Sequence, residues 1–229
     1  VAVVKSKRTF RTIHCYASSH ADIANDNIRA TCCYYTATIK GDTLYRSSRT
    51  SDGNIGSKLC RKYPCCVLKG ERSRGSTVSI AVASSGQFQD TGAKRILLGK
   101  DSSANVISKS IARQGGTSNF RATIEIGKNA DGSKVHEECD TLILDDYSYS
   151  DTIPHNVVNN SSSYLEHEAS VSKISEDQLF YLRSRGLSKT QATQRIVMGF
   201  LEPFSKELPM EYAVELNQLI KFDRTDSIG

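Results

Sequence analysis

Short apolar runs alternate with clusters of small polar residues along much of the chain. From position 77 to 174, stretches rich in Val, Ile and Thr are separated by Ser84-Ser85-Gly86, Gly99-Lys100-Asp101, Gly115-Gly116, Asp131-Gly132, Asp145-Asp146 and Asn159-Asn160. β-Branched residues suit pleated, half-buried strands, and the intervening residues are turn formers. The pattern predicts strands over 77–83, 93–98, 105–112, 119–126, 134–144, 152–158 and 164–174. One unit repeats: Ile96-Leu97-Leu98-Gly99-Lys100-Asp101 is echoed by Ile124-Glu125-Ile126-Gly127-Lys128-Asn129. A recurring strand and turn points to a β-solenoid, in which each rung buries its apolar face on the next. An antiparallel sandwich with similar turns fits the same pattern.

The texture changes at Ser175. Ser175-Glu176-Asp177-Gln178 and Ser188-Lys189-Thr190-Gln191 both have the form of a capping box. The first opens a helix carrying Leu179, Phe180 and Leu182, with Gly186 as its left-handed stop. The second opens a helix carrying Ala192, Ile196, Val197, Phe200 and Leu201, which Pro203 kinks or ends. Pro209 suits the first turn of a third helix, with apolar positions at Met210, Ala213 and Val214. A helical tail this short buries little apolar area alone, so it must pack on the β body or on a partner.

Composition narrows the classes. The 229 residues carry a net charge of +5, with both signs mixed along the chain. The densest basic runs, 5–11 and 69–74, lack interleaved exposed aromatics, and there is no Trp. That argues against a nucleic-acid partner. No apolar run is long enough for membrane insertion. The N-terminal apolar stretch is too short for a signal peptide, and the absence of an initiator Met suggests a processed or truncated product. The seven cysteines are odd in number, include two adjacent pairs, and form no C-x-x-C. They read as free thiols in a reducing compartment.

Two features carry candidate chemistry. Glu166-His167-Glu168 places two carboxylates and an imidazole within three residues, a set suited to metal binding or proton transfer. On a strand, Glu166 and Glu168 share one face and His167 takes the other, so all three cannot ligate one ion from a regular strand. From the residues alone, a solvated face with a satisfied histidine is the favoured reading of this triplet. Cys139 sits in Glu137-Glu138-Cys139-Asp140, where flanking acids raise its pKa but do not prevent metal coordination. Buried cysteines also serve simply as small apolar fillers. There is no G-x-S-x-G, P-loop or H-E-x-x-H.

A collinear series of blocks then resembles the C-terminal half of the SufB family, within the SufB/SufD family of iron–sulfur cluster assembly scaffold proteins. The blocks are Asp52-Gly53-Asn54-Ile55-Gly56-Ser57-Lys58, Lys62-Tyr63-Pro64-Cys65-Cys66, Gln89-Asp90-Thr91-Gly92-Ala93-Lys94 and Ser108-Lys109-Ser110-Ile111. Cys139-Asp140, Glu166-His167-Glu168-Ala169, Ser175-Glu176-Asp177-Gln178-Leu179-Phe180-Tyr181, Arg185-Gly186-Leu187 and Leu208-Pro209-Met210-Glu211-Tyr212-Ala213 follow in order. The resemblance implies a mainly β chain: a right-handed parallel β-helix (β-solenoid) core over 1–174, then a small C-terminal α-helical domain over 175–229 that docks the ABC-type ATPase SufC. Met210 and Val214 are the candidate docking residues on that tail. The β body is expected to pair with the paralogue SufD, and a cysteine desulfurase with its sulfur-transfer proteins to supply sulfur. The implied role is an assembly scaffold, not an enzyme, with ATPase activity in SufC. It holds a nascent iron–sulfur cluster of 4Fe-4S type in the cytoplasm or a plastid-type organelle. Cys139, Glu166, His167 and Glu168 are the implied cluster-binding residues, with Cys139 and Glu168 as metal ligands. Residues 1 to about 50 match far less, and Cys15, Cys32 and Cys33 fall on no family motif.

Two alternatives remain at this point. One is a SufD-like structural partner of SufC that holds no cluster. The other is a β-solenoid hydrolase using Glu166 and Glu168 as acid and base.

Overall fold

A computed structural model describes positions 46–56 and 58–207, together with three strands upstream of them. The upstream strands are β1 (Ala2–Val3), β2 (Ile13–Cys15) and β3 (Cys32–Ile39). Then come β4 (Arg46–Ile55), β5 (Leu59–Lys62), β6 (Cys65–Leu68), β7 (Arg74–Ala83), β8 (Phe88–Leu97) and β9 (Ser103–Ala112). The last strands are β10 (Thr117–Ile126), β11 (Lys134–Ile143), β12 (Tyr149–Val158) and β13 (Tyr164–Lys173), followed by helices α1 (Glu176–Ser184) and α2 (Lys189–Glu207). The chain divides into two compact units, Val1–Lys173 and Ile174–Gly229.

From β6 onward the strands alternate between two sheets as the chain advances. One sheet runs β1-β6-β8-β10-β12, with β5 also paired to β8; the other runs β13-β11-β9-β7-β4-β3-β2. Only β2–β3 and β3–β4 pair antiparallel. Every other pairing is parallel, for example β8–β10–β12 and β9–β11–β13. The result is a parallel β-solenoid of about four turns, which excludes the sandwich.

Alternation along each strand decides what lies inside. Leu97 and Ile126 are register partners, as are Ala104 and Val135, and all four are buried. Phe120 and Ile124 are buried from β10 in the same way. Full burial of such side chains is worth about 1.5–3 kcal/mol each. The first rungs also hold polar groups inside. Lys62 pairs with Asp52, which is 1% exposed and whose pKa burial raises. Arg95, also 1% exposed, donates from Nη2 to the Ser76 carbonyl at 3.2 Å.

The strands begin earlier than the apolar pattern alone predicts. β8 starts at Phe88, ahead of the expected 93. Gln89 and Thr91 are polar but face inward and are fully buried, while Asp90 accepts a 2.8 Å hydrogen bond from Arg121 Nε on the next rung. The sequence echo is also one residue out of step. It aligns Leu98 with Ile126, but Leu97 is the true partner; Leu98 is 41% exposed. A shift of one residue exchanges the two faces of a strand, so only one of these registers can bury Leu97.

In the second unit, α1 begins at its Ser175 cap, whose Oγ accepts from Gln178 N at 3.4 Å. The second capping box is complete. Ser188 Oγ accepts from Gln191 N at 3.2 Å, and Gln191 Oε1 accepts from Ser188 N at 2.9 Å. Gly186, at φ +88°, makes the turn between the helices. α2 continues past position 203 to Glu207, so the proline does not end it. The expected third helix, with Met210 and Val214, lies outside the described residues.

Tight rung stacking yields a test at Gly92. A Cβ there would sit 2.1 Å from the Arg121 carbonyl oxygen and 3.0 Å from the Tyr63 ring. Gly92→Ala should lower unfolding stability by about 2–3 kcal/mol in urea melts, as overpacking against backbone does. Gly53→Ala, which meets nothing within 4 Å, should leave the midpoint unchanged or slightly raised.

Candidate functional site

β11 and β13 bring the candidate residues together because they are neighbours in one sheet. Their register pairs His136 with Glu166, Glu137 with His167, Glu138 with Glu168, and Cys139 with Ala169. Partners in a parallel pair point to the same face. On β11, Val135, Glu137, Cys139 and Thr141 are buried, which marks their face as the interior. His167 therefore lies on the interior parity with Cys139. Glu166 and Glu168 lie on the outer parity and are exposed.

The structure thus separates two expected metal ligands. Cys139 faces in and Glu168 faces out, and they are not register partners. Within this chain the alternation of a regular strand keeps them on opposite faces of the sheet. The expectation that His167 points away from Glu166 and Glu168 matches this register.

The interior group is compact. Cys139 Sγ lies 3.7 Å from Glu137 Oε1, and His167 Nδ1 lies 3.0 Å from the same oxygen. Glu137 is 0% exposed, and the His167 side chain is 23% exposed. Glu137 Oε2 and His167 Nδ1 have no well-aligned hydrogen-bond partner. Burial raises the Glu137 pKa, against the pull of His167. Burial, then the Glu137 carboxylate, also pushes the Cys139 thiol well above its ordinary range. In the metal-free chain Cys139 is therefore a protonated thiol and a poor nucleophile.

Outside, a charged ladder runs across three strands. Lys109 Nζ reaches Glu138 at 2.8 Å and also pairs with Asp140, which accepts from Ser170. His136 Nδ1 lies 3.2 Å from Glu166 Oε2. Lys109, Glu138 and Asp140 are half-buried, and Glu166 is exposed, so the ladder reads mainly as a partly solvated face. Among the described residues, no three His, Cys, Asp or Glu side chains already stand in metal-binding geometry. A thiol, an imidazole and a carboxylate nevertheless lie side by side on the interior face, and these are donor types that iron accepts. Among the described residues, Cys60, Cys65, Cys66 and Cys139 take part in no disulfide.

Glu137 was legible in the sequence only through alternation. Val135, Cys139 and Thr141 mark one face of the strand, and Glu137 falls on it. Read simply as an acid flanking Cys139, it looks like a surface charge.

β12 and β13 end their sheets, and no described strand pairs with their outer edges. Both are largely exposed; Tyr149 is 58%, Tyr164 59% and Val171 57% exposed. No helix among the described residues is long and apolar enough to cross a membrane.

Comparison with known proteins gives a consistent picture. Residues 20–200 match the family described as SUF system FeS cluster assembly, SufBD core domain. The chain is 60% identical over 178 residues to the iron-sulfur cluster assembly protein SufB of Bacillus subtilis, covering 78% of this chain and 38% of that protein. It is 60% identical over the same length to an iron-sulfur cluster assembly SufBD family protein of Staphylococcus epidermidis, with the same coverage. A SufBD family protein of Staphylococcus saprophyticus is 55% identical over 197 residues, which is 85% of this chain and 42% of that protein. The chain thus spans about two fifths of the length of these curated relatives.

The raised Glu137 pKa has a consequence for stability. The folded state binds this proton more tightly than the unfolded chain, so ionisation at high pH destabilises the fold and the penalty fades as pH falls through the folded pKa. Glu137→Gln should therefore raise the melting temperature at pH 8, with the gain shrinking toward pH 5. A constant offset across that range would show that the carboxylate does not titrate as argued.

Proposed function

Because this chain belongs to the SufB/SufD core family of iron–sulfur cluster assembly proteins, we propose that it is the scaffold subunit of a SUF complex, holding a nascent cluster for transfer to apo-proteins. The observation that carries this reading is a buried thiol, Cys139, grouped with a carboxylate on the same rung and an imidazole on the solenoid's last one. A SufD-like structural role would not require such a donor set.

The cluster is substrate here, assembled and passed on. It supplies iron and sulfide; the chain supplies places to hold them. Cys139 furnishes a thiolate once iron displaces its proton. His167 lies beside it on the interior face. Glu166 and Glu168 stand on the outer face of the terminal strand, where they can meet iron only around the edge of β13 or together with a docked partner. Because these donors are divided between two faces, neither face supplies the four ligands of a 4Fe-4S cluster, so the site is one half of a shared one. The edges of β12 and β13, which no described strand pairs, suit a second β-solenoid, the SufD paralogue, which would add strands and the missing donors. Sulfur would come from a cysteine desulfurase through its transfer proteins, in a compartment that keeps the thiols reduced. ATP hydrolysis would reside in the SufC partner.

Anaerobic reconstitution with iron and sulfide, alone and with the SufD paralogue, tests the cluster role. Cys139→Ser should lower the cluster absorption and change the Mössbauer spectrum. A yield and spectrum equal to wild type would remove Cys139 from the site.

Docking of SufC by the helical domain is a separate element of the reading. Met210→Asp or Val214→Asp should weaken capture of SufC by about tenfold or more, since each sets a charge in an apolar contact. Unchanged SufC affinity in a variant of native helix content would exclude that face.

A further inference from the structure

We propose that Glu137 is a positioning residue that latches the last rung of the solenoid, β12 and β13, over Cys139. This rests on the scaffold reading above and deepens it, because it states how a buried thiol is reached.

Cys139 is 2% exposed and belongs to the apolar core together with Phe120, Ala122 and Val135. Its register partners are Ser108, itself buried, in the rung beneath and Ala169 on β13. Core side chains therefore close it in on its own rung and from below, and the last rung closes it from above. That last rung is a thin cover. Its interior parity carries Thr152, Pro154 and Asn156 on β12, partners of the buried Phe120, Ala122 and Ile124, and Leu165, His167 and Ala169 on β13. Each of the six is half-buried or exposed, and no described strand pairs beyond them. A terminal rung rests on one neighbour instead of two, so it opens at lower free energy than the rungs inside.

Glu137 spans this boundary from a position that is 0% exposed. Its Oε1 lies 3.0 Å from His167 Nδ1 on β13, and the Asn156 side chain of β12 also reaches the carboxylate. A single group on β11 thus meets both strands of the last rung. Cys139 Sγ lies 3.7 Å from the same Oε1, so the latch closes beside the thiol it covers. Contacts at the corners of that rung differ in kind. Asn160 donates to Asp131 at 2.7 Å and Gly132 N donates to Ser162 Oγ at 3.1 Å, both in exposed positions. Water competes for those groups and does not compete for a buried carboxylate, so the Glu137 contacts weigh more. Releasing them lets β12 and β13 lift from the rung beneath while that rung stays folded, and Cys139 comes to solvent where iron can meet it. His167, 23% exposed, and Asn156, exposed, take water in place of Glu137. No covalent bond changes.

Thiol alkylation reads this directly. The 229-residue chain, free of iron and sulfide, is treated with iodoacetamide under native conditions, and peptide mass spectrometry follows each cysteine separately. In wild type, Cys139 should label far more slowly than the half-buried Cys65; equal rates would overturn the proposal. Glu137→Leu, which removes the acid and keeps the space filled, should raise the Cys139 rate about tenfold or more, as loss of contacts to a charged group does. Asn156→Ala, a change at an exposed side chain that leaves the core intact, should raise it about threefold. The double variant should match Glu137→Leu within about twofold, since Asn156 acts through Glu137; additive effects would overturn the latch. Deuterium exchange should quicken across 149–158 and 164–173 in both single variants and stay unchanged across 117–126. Cys60, 5% exposed in an early rung, should keep its wild-type rate throughout. A parallel rise at Cys60 and Cys139 would mean general loosening and overturn the proposal. So would Cys139 rates within about twofold of wild type in both single variants. No arm of this experiment uses iron, so its failure leaves the scaffold reading to the Cys139→Ser reconstitution.

Discussion

The register between β11 and β13 is the constraint on which the rest of the site depends. A parallel pair of strands leaves each residue one of two faces, and the register fixes which partners share one. Here the interior apolar residues hold it. Val135 and Leu165 are partners, and so are Leu142 and Ser172, one strand position off the interior set. A slip of one residue would put Val135 beside an exposed glutamate and bring Cys139 to the solvent parity. The burial of Val135 thus positions Glu137, Cys139 and His167 without any of them contributing to the choice. Steric limits between rungs act in the same direction, since a close approach such as that at Gly92 leaves no room for a shifted rung.

A buried carboxylate is poor evidence for stability. Removing it from water costs several kcal/mol, and an imidazole at 3.0 Å repays this only in part when the geometry is not that of a hydrogen bond. Position 137 lies where its strand otherwise places Val135, Cys139 and Thr141, so a small apolar residue would fill it at lower cost. Retaining an acid there is the kind of local inconsistency expected of a functional position, where stability is given up for chemistry. The contrast with the outer face is instructive. Glu138 and Asp140 meet Lys109, keep contact with water, and need no further explanation.

Much of the fold was legible in the sequence. The turn clusters, the β-branched runs and the repeated Gly-Lys turn after an apolar residue led to stacked rungs, and Ser175 and Ser188 both begin helices. What stayed hidden has physical causes. The rungs differ in length, as the register partners Arg74, Ser103, Lys134 and Tyr164 show, so no fixed period exists to be found. Strand starts built from Gln89, Thr91 or Ser118 look like loop, because a solenoid can bury polar side chains inside when other groups meet them. The site was half legible. Cys139, Glu166, His167 and Glu168, which the sequence singles out, lie on two adjacent strands, and alternation within β13 separates His167 from the glutamates. Joining Cys139 to Glu168 required the register between two strands far apart in the chain, which single-strand alternation does not contain.

The same parity extends to whatever meets the end of the solenoid. A strand that pairs with the free edge of β13 continues the sheet, so its alternate residues fall in line with Leu165, His167 and Ala169, and the others with Glu166 and Glu168. A partner's donor on the first parity would complete a site around the Cys139 group; one on the second would build on the outer carboxylates. These two outcomes differ by a single residue in the partner's register. On the proposed scaffold reading, the position of a cluster would be set jointly, by the burial pattern of β11 on one side and by edge pairing on the other.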